Sequence, residues 1–253
     1  MEKLINITPI SNEFKRALDD ISEILKLPLI MKPFYKDFSY TFCWSSNAIE
    51  GNTLTLEDTI NLLEDDTVSP KHSYREHEEA KLLYIAINKY LSLEQPYEMN
   101  EEWIQNLNRQ IIGSDYRGYR EGDVYIGNAL KAVYYPPSHE NVPALMKEYA
   151  AGMNFVESDM DKVIELAALK HVEFERIHPF GDGNGRTGRV ILNQMLINNG
   201  LLPISIKAQS KYRQSFKQYD KNQDLSLLEH IIFKGELEAI DNIKELHRKY
   251  RER

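Results

Sequence analysis

The sequence predicts a mainly α-helical protein with one short β-hairpin. Only 12 glycines and 10 prolines occur among the 253 residues, whereas the pair makes up ~12% of an average protein. Apolar side chains recur three or four residues apart through most of the chain, the pattern of a helix with one buried face. A chain of this length can also bury a core without a disulfide or a metal.

The helices follow from this spacing, taken in order. A first helix ends near Pro28, and a second, over about 34–50, ends near Gly51, where glycine can adopt the left-handed conformation. Thr55 and Asp58 form a capping-box pattern at the start of a third helix. Further helices are predicted over 74–91, 100–113, 142–155, 162–177, 189–199, 209–219 and 225–253.

Two short runs rich in β-branched and aromatic residues interrupt the helical pattern. They read GDVYIG and AVYYPP, and the NALK segment joins them into a hairpin. Pro136 and Pro137 end the second strand because proline cannot donate to a sheet. We place the hairpin at 123–135, inside a central region over 96–235. A helical region over 1–95 precedes it, and a C-terminal helix over 236–253 follows.

Composition excludes several classes of protein. The formal charge is −8, from 31 basic and 39 acidic residues, which disfavours nonspecific binding to nucleic acid. A single cysteine, Cys43, excludes an intramolecular disulfide and a four-cysteine zinc site. The sequence contains neither a signal-peptide pattern at its start nor an apolar run that could span a membrane. We therefore expect a cytoplasmic protein that binds neither nucleic acid nor membranes.

Residues 178–189, HPFGDGNGRTGR, concentrate the candidate chemistry. Four glycines in a loop that opens a helix let the backbone approach a ligand closely, and a helix N-terminus is a natural anion site. Arg186 and Arg189 are three residues apart and share a helix face. Two guanidinium groups beside such a loop are typical of a polyphosphate site.

The same loop offers a metal ligand and a base. Asp182 is a single carboxylate, and one carboxylate together with substrate phosphates is a common way to hold Mg²⁺. His178, with an ordinary pKa of ~6.5, can accept a proton near neutral pH. The residues alone therefore indicate nucleotide-dependent group transfer to a hydroxyl.

The loop also matches the motif HxFx(D/E)GNGRxxR of Fic proteins at every specified position. The resemblance extends over roughly residues 40–235. It implies the Fic fold, a helical bundle with a β-hairpin flap. It further implies transfer of AMP from ATP, with Mg²⁺, to a Ser, Thr or Tyr hydroxyl of a target protein. The enzyme itself can be such a target, and a homodimer is compatible with the sequence.

The resemblance also implies roles for individual residues. His178 would be the catalytic base and Asp182 the metal ligand. Val133 and Tyr134 would lie on the flap that aligns the target by strand addition. The residues expected to contact ATP are Gly183, Asn184, Gly185, Arg186, Thr187 and Arg189 in the loop, with Tyr212 and Asp220 beside the adenosine.

A second segment resembles the inhibitory pattern (S/T)xxxE(G/N) of class II Fic proteins. It runs from Ser46 through Glu50 to Asn52, N-terminal to the loop. Glu50 would pair with Arg189 and occupy the space that the γ-phosphate of ATP requires. Ser46, one helical turn before Glu50, would help to orient it. The resemblance thus predicts an autoinhibited enzyme.

Alternative functions remain open on the sequence alone. The same residues could remove AMP from a modified target, or transfer another phosphate-containing group. A non-enzymatic alternative is an inactive binding module or a toxin–antitoxin partner. The complete motif argues against an inactive site, and the built-in segment around Glu50 argues against the need for a separate antitoxin.

Overall fold

The computed structural model describes residues 3–93, 97–128 and 131–252 and confirms the mainly helical prediction. The described residues form ten α-helices: α1 (Thr8–Asp20), α2 (Pro28–Ile49), α3 (Leu56–Asp65), α4 (Tyr74–Tyr90), α5 (Glu101–Ile112), α6 (Val142–Gly152), α7 (Met160–Ile177), α8 (Asn184–Asn198), α9 (Gln209–Asn222) and α10 (Ser226–Arg251). None of the helices in these ranges is long and apolar enough to cross a membrane.

Side-chain caps fix the starts of three helices. The predicted capping box at α3 is present, since Thr55 Oγ1 accepts the Asp58 amide at 3.0 Å and the Asp58 carboxylate accepts the Thr55 amide at 3.1 Å. Ser73 and Glu76 form the same arrangement at α4. The Asn100 side chain accepts the Trp103 amide at 2.8 Å at α5. These caps satisfy amides that the first turn of a helix leaves without partners.

The helix predicted over about 34–50 is longer than expected at its start. It begins at Pro28, because a proline at the first position has no amide to leave unsatisfied. Pro33 lies inside this helix, near enough to its start that only the Leu29 carbonyl loses its helical donor. Leu29 is 54% exposed, so water can replace that donor. At the other end, Gly51 adopts φ 100°.

The boundary predicted between residues 235 and 236 falls inside α10, which begins at Ser226. Gly235 does not end this helix; it allows close packing instead. A Cβ at Gly235 would lie 2.8 Å from Cβ of Ile204. The loop after α8 therefore packs directly against the backbone of α10.

The predicted hairpin is present as an antiparallel pair, β1 (Ile126–Asn128) and β2 (Lys131–Tyr134). Ile126 lies opposite Tyr134 and Gly127 opposite Ala132, with a bulge between the two pairs. The turn at 129–130, part of the predicted NALK segment, lies outside the described residues.

The core is built around α8. This helix packs along α7 and also contacts α5 and α2. Its residues from Arg186 to Leu196 are all buried, including both arginines of the motif. The N-terminus of α8 thus lies where the motif loop, α2 and α5 meet.

Candidate nucleotide-transfer site

The motif loop begins and ends in left-handed backbone conformations. His178 ends α7 at φ 49°, and its amide donates to the Phe174 carbonyl at 3.0 Å. Gly183 precedes α8 at φ 76°, where a Cβ would lie 2.6 Å from Cδ1 of Ile112. Only glycine meets both conditions without strain. These two turns bring the end of α7 and the start of α8 into one compact loop.

A side-chain amide holds the loop closed. Asn184 Oδ1 accepts the Phe180 amide at 2.9 Å, and Asn184 Nδ2 donates to the Phe180 carbonyl at 2.8 Å. The Phe180 ring is 1% exposed and packs against Tyr119 and Phe174. Asn184 is predicted to contact ATP, but in this structure both polar atoms of its side chain hydrogen-bond the loop backbone at Phe180.

Asn108 on α5 supports the same loop and was not predicted. Its Nδ2 lies 3.1 Å from the Asp182 carbonyl oxygen and 3.0 Å from Thr187 Oγ1. Thr187, predicted to contact ATP, is completely buried against α5. Its position in the sequence could have indicated this role, because Asn108 is a polar residue on the apolar face of α5, between Ile104 and Ile111.

Arg120 joins the loop to the flap and was also missed. Its amide donates to the Pro179 carbonyl at 2.9 Å, and its Nε donates to the His178 carbonyl at 3.0 Å. The two terminal nitrogens donate to the carbonyls of Gly122 and Pro137, at either end of the flap. Nothing in the sequence separates Arg120 from its exposed neighbour Arg117.

His178 is suited to act as a base. Burial, helped by the positive charge of Arg120, lowers the pKa of its imidazole below the ordinary 6.5. The ring is therefore neutral at pH 7 and can accept a proton. Its Nδ1 is buried without a hydrogen-bond partner among the described residues.

Asp182 and Arg186 lie together at the N-terminus of α8. Asp182 Oδ1 accepts the Gly183 amide at 2.6 Å and lies 3.4 Å from Nη2 of Arg186. Arg75 of α4 reaches Asp182 Oδ2 at 3.4 Å. The Asp182 side chain is 54% exposed. No cluster of three or more metal-ligating side chains occurs in the described ranges, so Asp182 fits only the mode in which phosphates and water complete the coordination.

Arg189 carries the most extensive contacts of the site. Its Nη2 donates to Glu50 Oε1 at 2.7 Å and to the Ser46 carbonyl at 2.9 Å, and its Nε donates to Ser46 Oγ at 2.9 Å. The guanidinium is 2% exposed, whereas the Glu50 side chain is 41% exposed. Burial alone would lower the pKa of Arg189, but nearby negative charge, that of Glu50 above all, raises it.

Ser46 contacts Arg189 rather than Glu50 itself. Its hydroxyl and carbonyl both accept hydrogen bonds from the guanidinium, and its role in orienting Glu50 stays a prediction. Ser46 thus helps to position the guanidinium that donates to Glu50. Gly185 completes the fit, since a Cβ there would lie 2.2 Å from Glu50 Oε1. A further contact, from Nη2 of Arg213 on α9 to the Ile49 carbonyl at 2.5 Å, holds the end of α2 and had no sequence signal.

Tyr212 is buried in the core, and Asp220 pairs with Arg176. Tyr212 is 3% exposed, its hydroxyl lies 2.7 Å from Nε2 of His171, and its ring lies 5.8 Å from the Arg189 guanidinium. The hydroxyl of Tyr212 is thus used inside the core, and its contact with adenosine stays a prediction. Asp220 accepts two hydrogen bonds from Arg176, at 2.8 and 2.7 Å.

The flap residues lie on different sides of the hairpin. Val133 is 47% exposed on the strand β2. Tyr134 is partly buried, with the Arg176 guanidinium 4.3 Å from its ring centre. The Asp220–Arg176 pair thus supports the flap through Tyr134.

Comparisons with known proteins agree with this geometry. The model of the Fic/DOC family matches residues 98–196. The chain is 32% identical over 207 residues to the protein adenylyltransferase Fic of Drosophila virilis, covering 79% of this chain and 41% of the relative. The chain spans 41% of this relative and 48% of the protein adenylyltransferase Fic of Nematostella vectensis, so it covers less than half the length of each.

Solved structures give the same result. A Fic domain containing signaling protein from Bacteroides thetaiotaomicron superposes with a TM-score of 0.78 at 28% identity, covering 92% of this chain and 96% of that one. Fic-1 from C. elegans superposes with a TM-score of 0.75 at 25% identity, covering 97% and 74%. The motif, the fold and these likenesses show that residues 98–196 form a Fic/DOC family domain.

Proposed function

We propose that the protein is an adenylyltransferase that moves AMP from ATP to a Ser, Thr or Tyr hydroxyl of a protein, and that Glu50 inhibits it. The observation that carries this proposal is the 2.7 Å contact between Glu50 and the second arginine of a complete Fic motif. The relatives named protein adenylyltransferase support the choice of AMP as the transferred group.

The site would act mainly by positioning and by electrostatic stabilisation. The amides at the N-terminus of α8 and the Arg186 guanidinium would receive the phosphates. His178, neutral at pH 7, would take the proton from the target hydroxyl as its oxygen bonds to the α-phosphorus. The bond from that phosphorus to the bridging oxygen would break, and pyrophosphate would leave. Mg²⁺, held by Asp182, would neutralise phosphate charge.

Glu50 would inhibit through both charge and volume. It neutralises Arg189, which removes the cation available to the terminal phosphate. Its carboxylate also fills the space above Gly185, at the start of α8. A triphosphate that entered would be displaced from the pose that places the α-phosphate in line with the target hydroxyl.

The flap would receive the target protein. Among the described residues β2 pairs only with β1, so its other edge carries no strand, and Val133 on β2 is exposed. An extended target segment could add to such an edge through backbone hydrogen bonds. This would bring a hydroxyl toward His178, whose loop is tied to both ends of the flap by Arg120.

The test compares wild type, Glu50→Gly and Glu50→Gly/His178→Ala. Transfer of α-³²P-labelled AMP to the enzyme or to lysate proteins is measured on gels. We expect Glu50→Gly to increase labelling at least about tenfold, since the buried Arg189 is freed for ATP. His178→Ala should abolish it.

Two results would contradict the proposal. Equal labelling by wild type and Glu50→Gly would show that Glu50 does not inhibit the enzyme. Retained labelling in the double variant would show that His178 is not the catalytic base. Incubating a labelled target with each variant tests the reverse reaction. Faster label release by wild type than by Glu50→Gly would favour AMP removal instead.

A further inference from the structure

Four charged side chains form a ring at the N-terminus of α8. Arg75 Nη2 lies 3.4 Å from Asp182 Oδ2, and Asp182 Oδ1 lies 3.4 Å from Arg186 Nη2. Arg186 Nη1 lies 3.9 Å from Glu79 Oε1, and Arg75 Nε donates to this same oxygen at 3.1 Å. Arginine and carboxylate therefore alternate around the ring. Asp182 and Arg186 belong to the motif, whereas the other two residues come from α4.

Helical spacing places the two residues of α4 side by side. Arg75 and Glu79 are four residues apart in α4 and so lie on one face of the helix. The second oxygen of Glu79 accepts Asn52 Nδ2 at 3.2 Å. Glu79 thus holds the Arg75 guanidinium through its Nε, and the terminal nitrogen Nη2 is the one that reaches Asp182.

The two arginines of the ring differ in exposure. The Arg186 side chain is 4% exposed, and its Nε is buried without an acceptor within the part of the chain that the structure describes. The Arg75 side chain is 72% exposed. An ion pair this exposed adds little to the stability of a fold, because water screens it. Asp182 and Arg75 can therefore separate readily when another ligand enters.

The neighbouring arginines are already used by the backbone. Arg117 and Arg120 line the cavity beside Asp182. Arg117 donates to the Ser114 carbonyl, and Arg120 donates to carbonyls of the motif loop and the flap. Arg75 instead directs its Nη2 to the carboxylate that is proposed to hold Mg²⁺.

We propose that Arg75 is a third phosphate-binding arginine of the site, which exchanges Asp182 for the phosphates that leave as pyrophosphate. The inference rests on the proposed function, in which Asp182 holds Mg²⁺ and no longer needs Arg75 as its counter-ion. Arg75 then donates to a phosphate oxygen while its Nε stays on Glu79. The guanidinium suits this role because its donors match the oxygens of a phosphate. Pyrophosphate carries more charge than the transferred AMP, so the additional cation is assigned to the leaving group.

The test measures nucleotide affinity in the Glu50→Gly background, in which Arg189 has lost its outer partner. Arg75→Met removes the charge and keeps an unbranched side chain. We expect Glu50→Gly/Arg75→Met to bind Mg²⁺–α,β-methylene ATP, an analogue that resists cleavage at the α–β bond, roughly fivefold more weakly than Glu50→Gly. The dissociation constants are measured by calorimetry.

Two controls separate a phosphate contact from damage to the site. AMP lacks the leaving group, so Arg75→Met should leave its affinity unchanged, whereas a distorted loop would weaken both ligands. Lys81→Met removes a cation from the same helix that pairs with Asp66 instead, and should leave both affinities unchanged. An equal loss for AMP and the analogue would assign Arg75 a structural role. An equal loss in Lys81→Met would assign the effect to general charge, and either result would overturn the inference.

A residue that served only as the counter-ion of Asp182 would give the opposite result. Arg75→Met would then free the carboxylate for Mg²⁺, and the analogue would bind with the same or a higher affinity. That outcome would also overturn the inference.

Steady-state AMP transfer gives a second readout. In Glu50→Gly, Arg75→Met should raise KM for ATP roughly fivefold and change kcat little, since the contact forms when the nucleotide binds and persists in the transition state. If the analogue binds as expected but Glu50→Gly transfers no AMP, the proposed function fails and the role of Arg75 stands. If the analogue does not bind Glu50→Gly, the role of Arg75 fails together with the phosphate site.

Discussion

At the scale of single residues, His178 shows how burial keeps an imidazole neutral. The left-handed backbone at φ 49° turns the chain away from α7, and the Arg120 contact to its carbonyl holds that turn. The same burial lowers the pKa of the imidazole. A depressed pKa leaves the ring neutral over a wider range of pH, which is the state that can accept a proton.

This predicts the acid side of the pH profile. In Glu50→Gly, kcat/KM for AMP transfer should stay level down to pH 6.5 and fall only below it, as the imidazole becomes protonated. Initial rates at limiting ATP from pH 5 to 8 measure this. A midpoint of the acid limb above pH 6.5 would contradict the depressed pKa of His178. The rate of Glu50→Gly/His178→Ala, measured at each pH, is subtracted as the background.

At the scale of elements, the end of α2 places Glu50 against Arg189. Glu50 is the residue that follows this helix, and its position depends on the last turn keeping its geometry. Arg213 of α9 donates to the Ile49 carbonyl, and the Glu76 carboxylate accepts the Thr53 amide at 2.8 Å just beyond. Contacts from two other helices therefore fix the backbone on both sides of Glu50.

Arg213→Met should loosen this segment without touching the motif. This partly buried hydrogen bond is worth a net ~0.5–1 kcal/mol, so basal AMP transfer should rise roughly two- to fivefold, well below the increase in Glu50→Gly. Labelled AMP transfer measures the effect. Lys211→Met removes an exposed cation from the same helix and should leave the rate unchanged; an equal rise there would assign the effect to surface charge.

At the scale of the whole molecule, the core contains ionisable groups that couple its stability to pH. Glu175 is the clearest case, because it is buried between α7, which carries it, and the backbone of α8 at Gly188. Its folded-state pKa of about 7 lies above the ordinary 4.5. A carboxyl with a raised pKa contributes stability that is fully present below its unfolded pKa and is lost as pH rises through the folded pKa.

Glu175→Gln should remove this dependence. Relative to wild type, the free energy of unfolding of the variant should increase between pH 4.5 and about 7, by on the order of 2–3 kcal/mol. Urea unfolding at pH 5 and pH 8 measures the change. Glu173→Gln is the matched control. If the free energies of unfolding of Glu175→Gln and wild type differ by the same amount at both pH values, the pKa of Glu175 is not raised.

The sequence by itself determined the helical class, the hairpin and the composition of the motif loop, because periodicity, turn residues and the motif are properties of neighbouring positions. It also placed Glu50 opposite Arg189, through a resemblance. Only the tertiary structure decided that Ser46 contacts Arg189, that Tyr212 is internal, and that Gly235 packs against Ile204. The same holds for Asn108, Arg120, Arg213 and Glu175, since their roles depend on contacts between distant segments that fold together around α8.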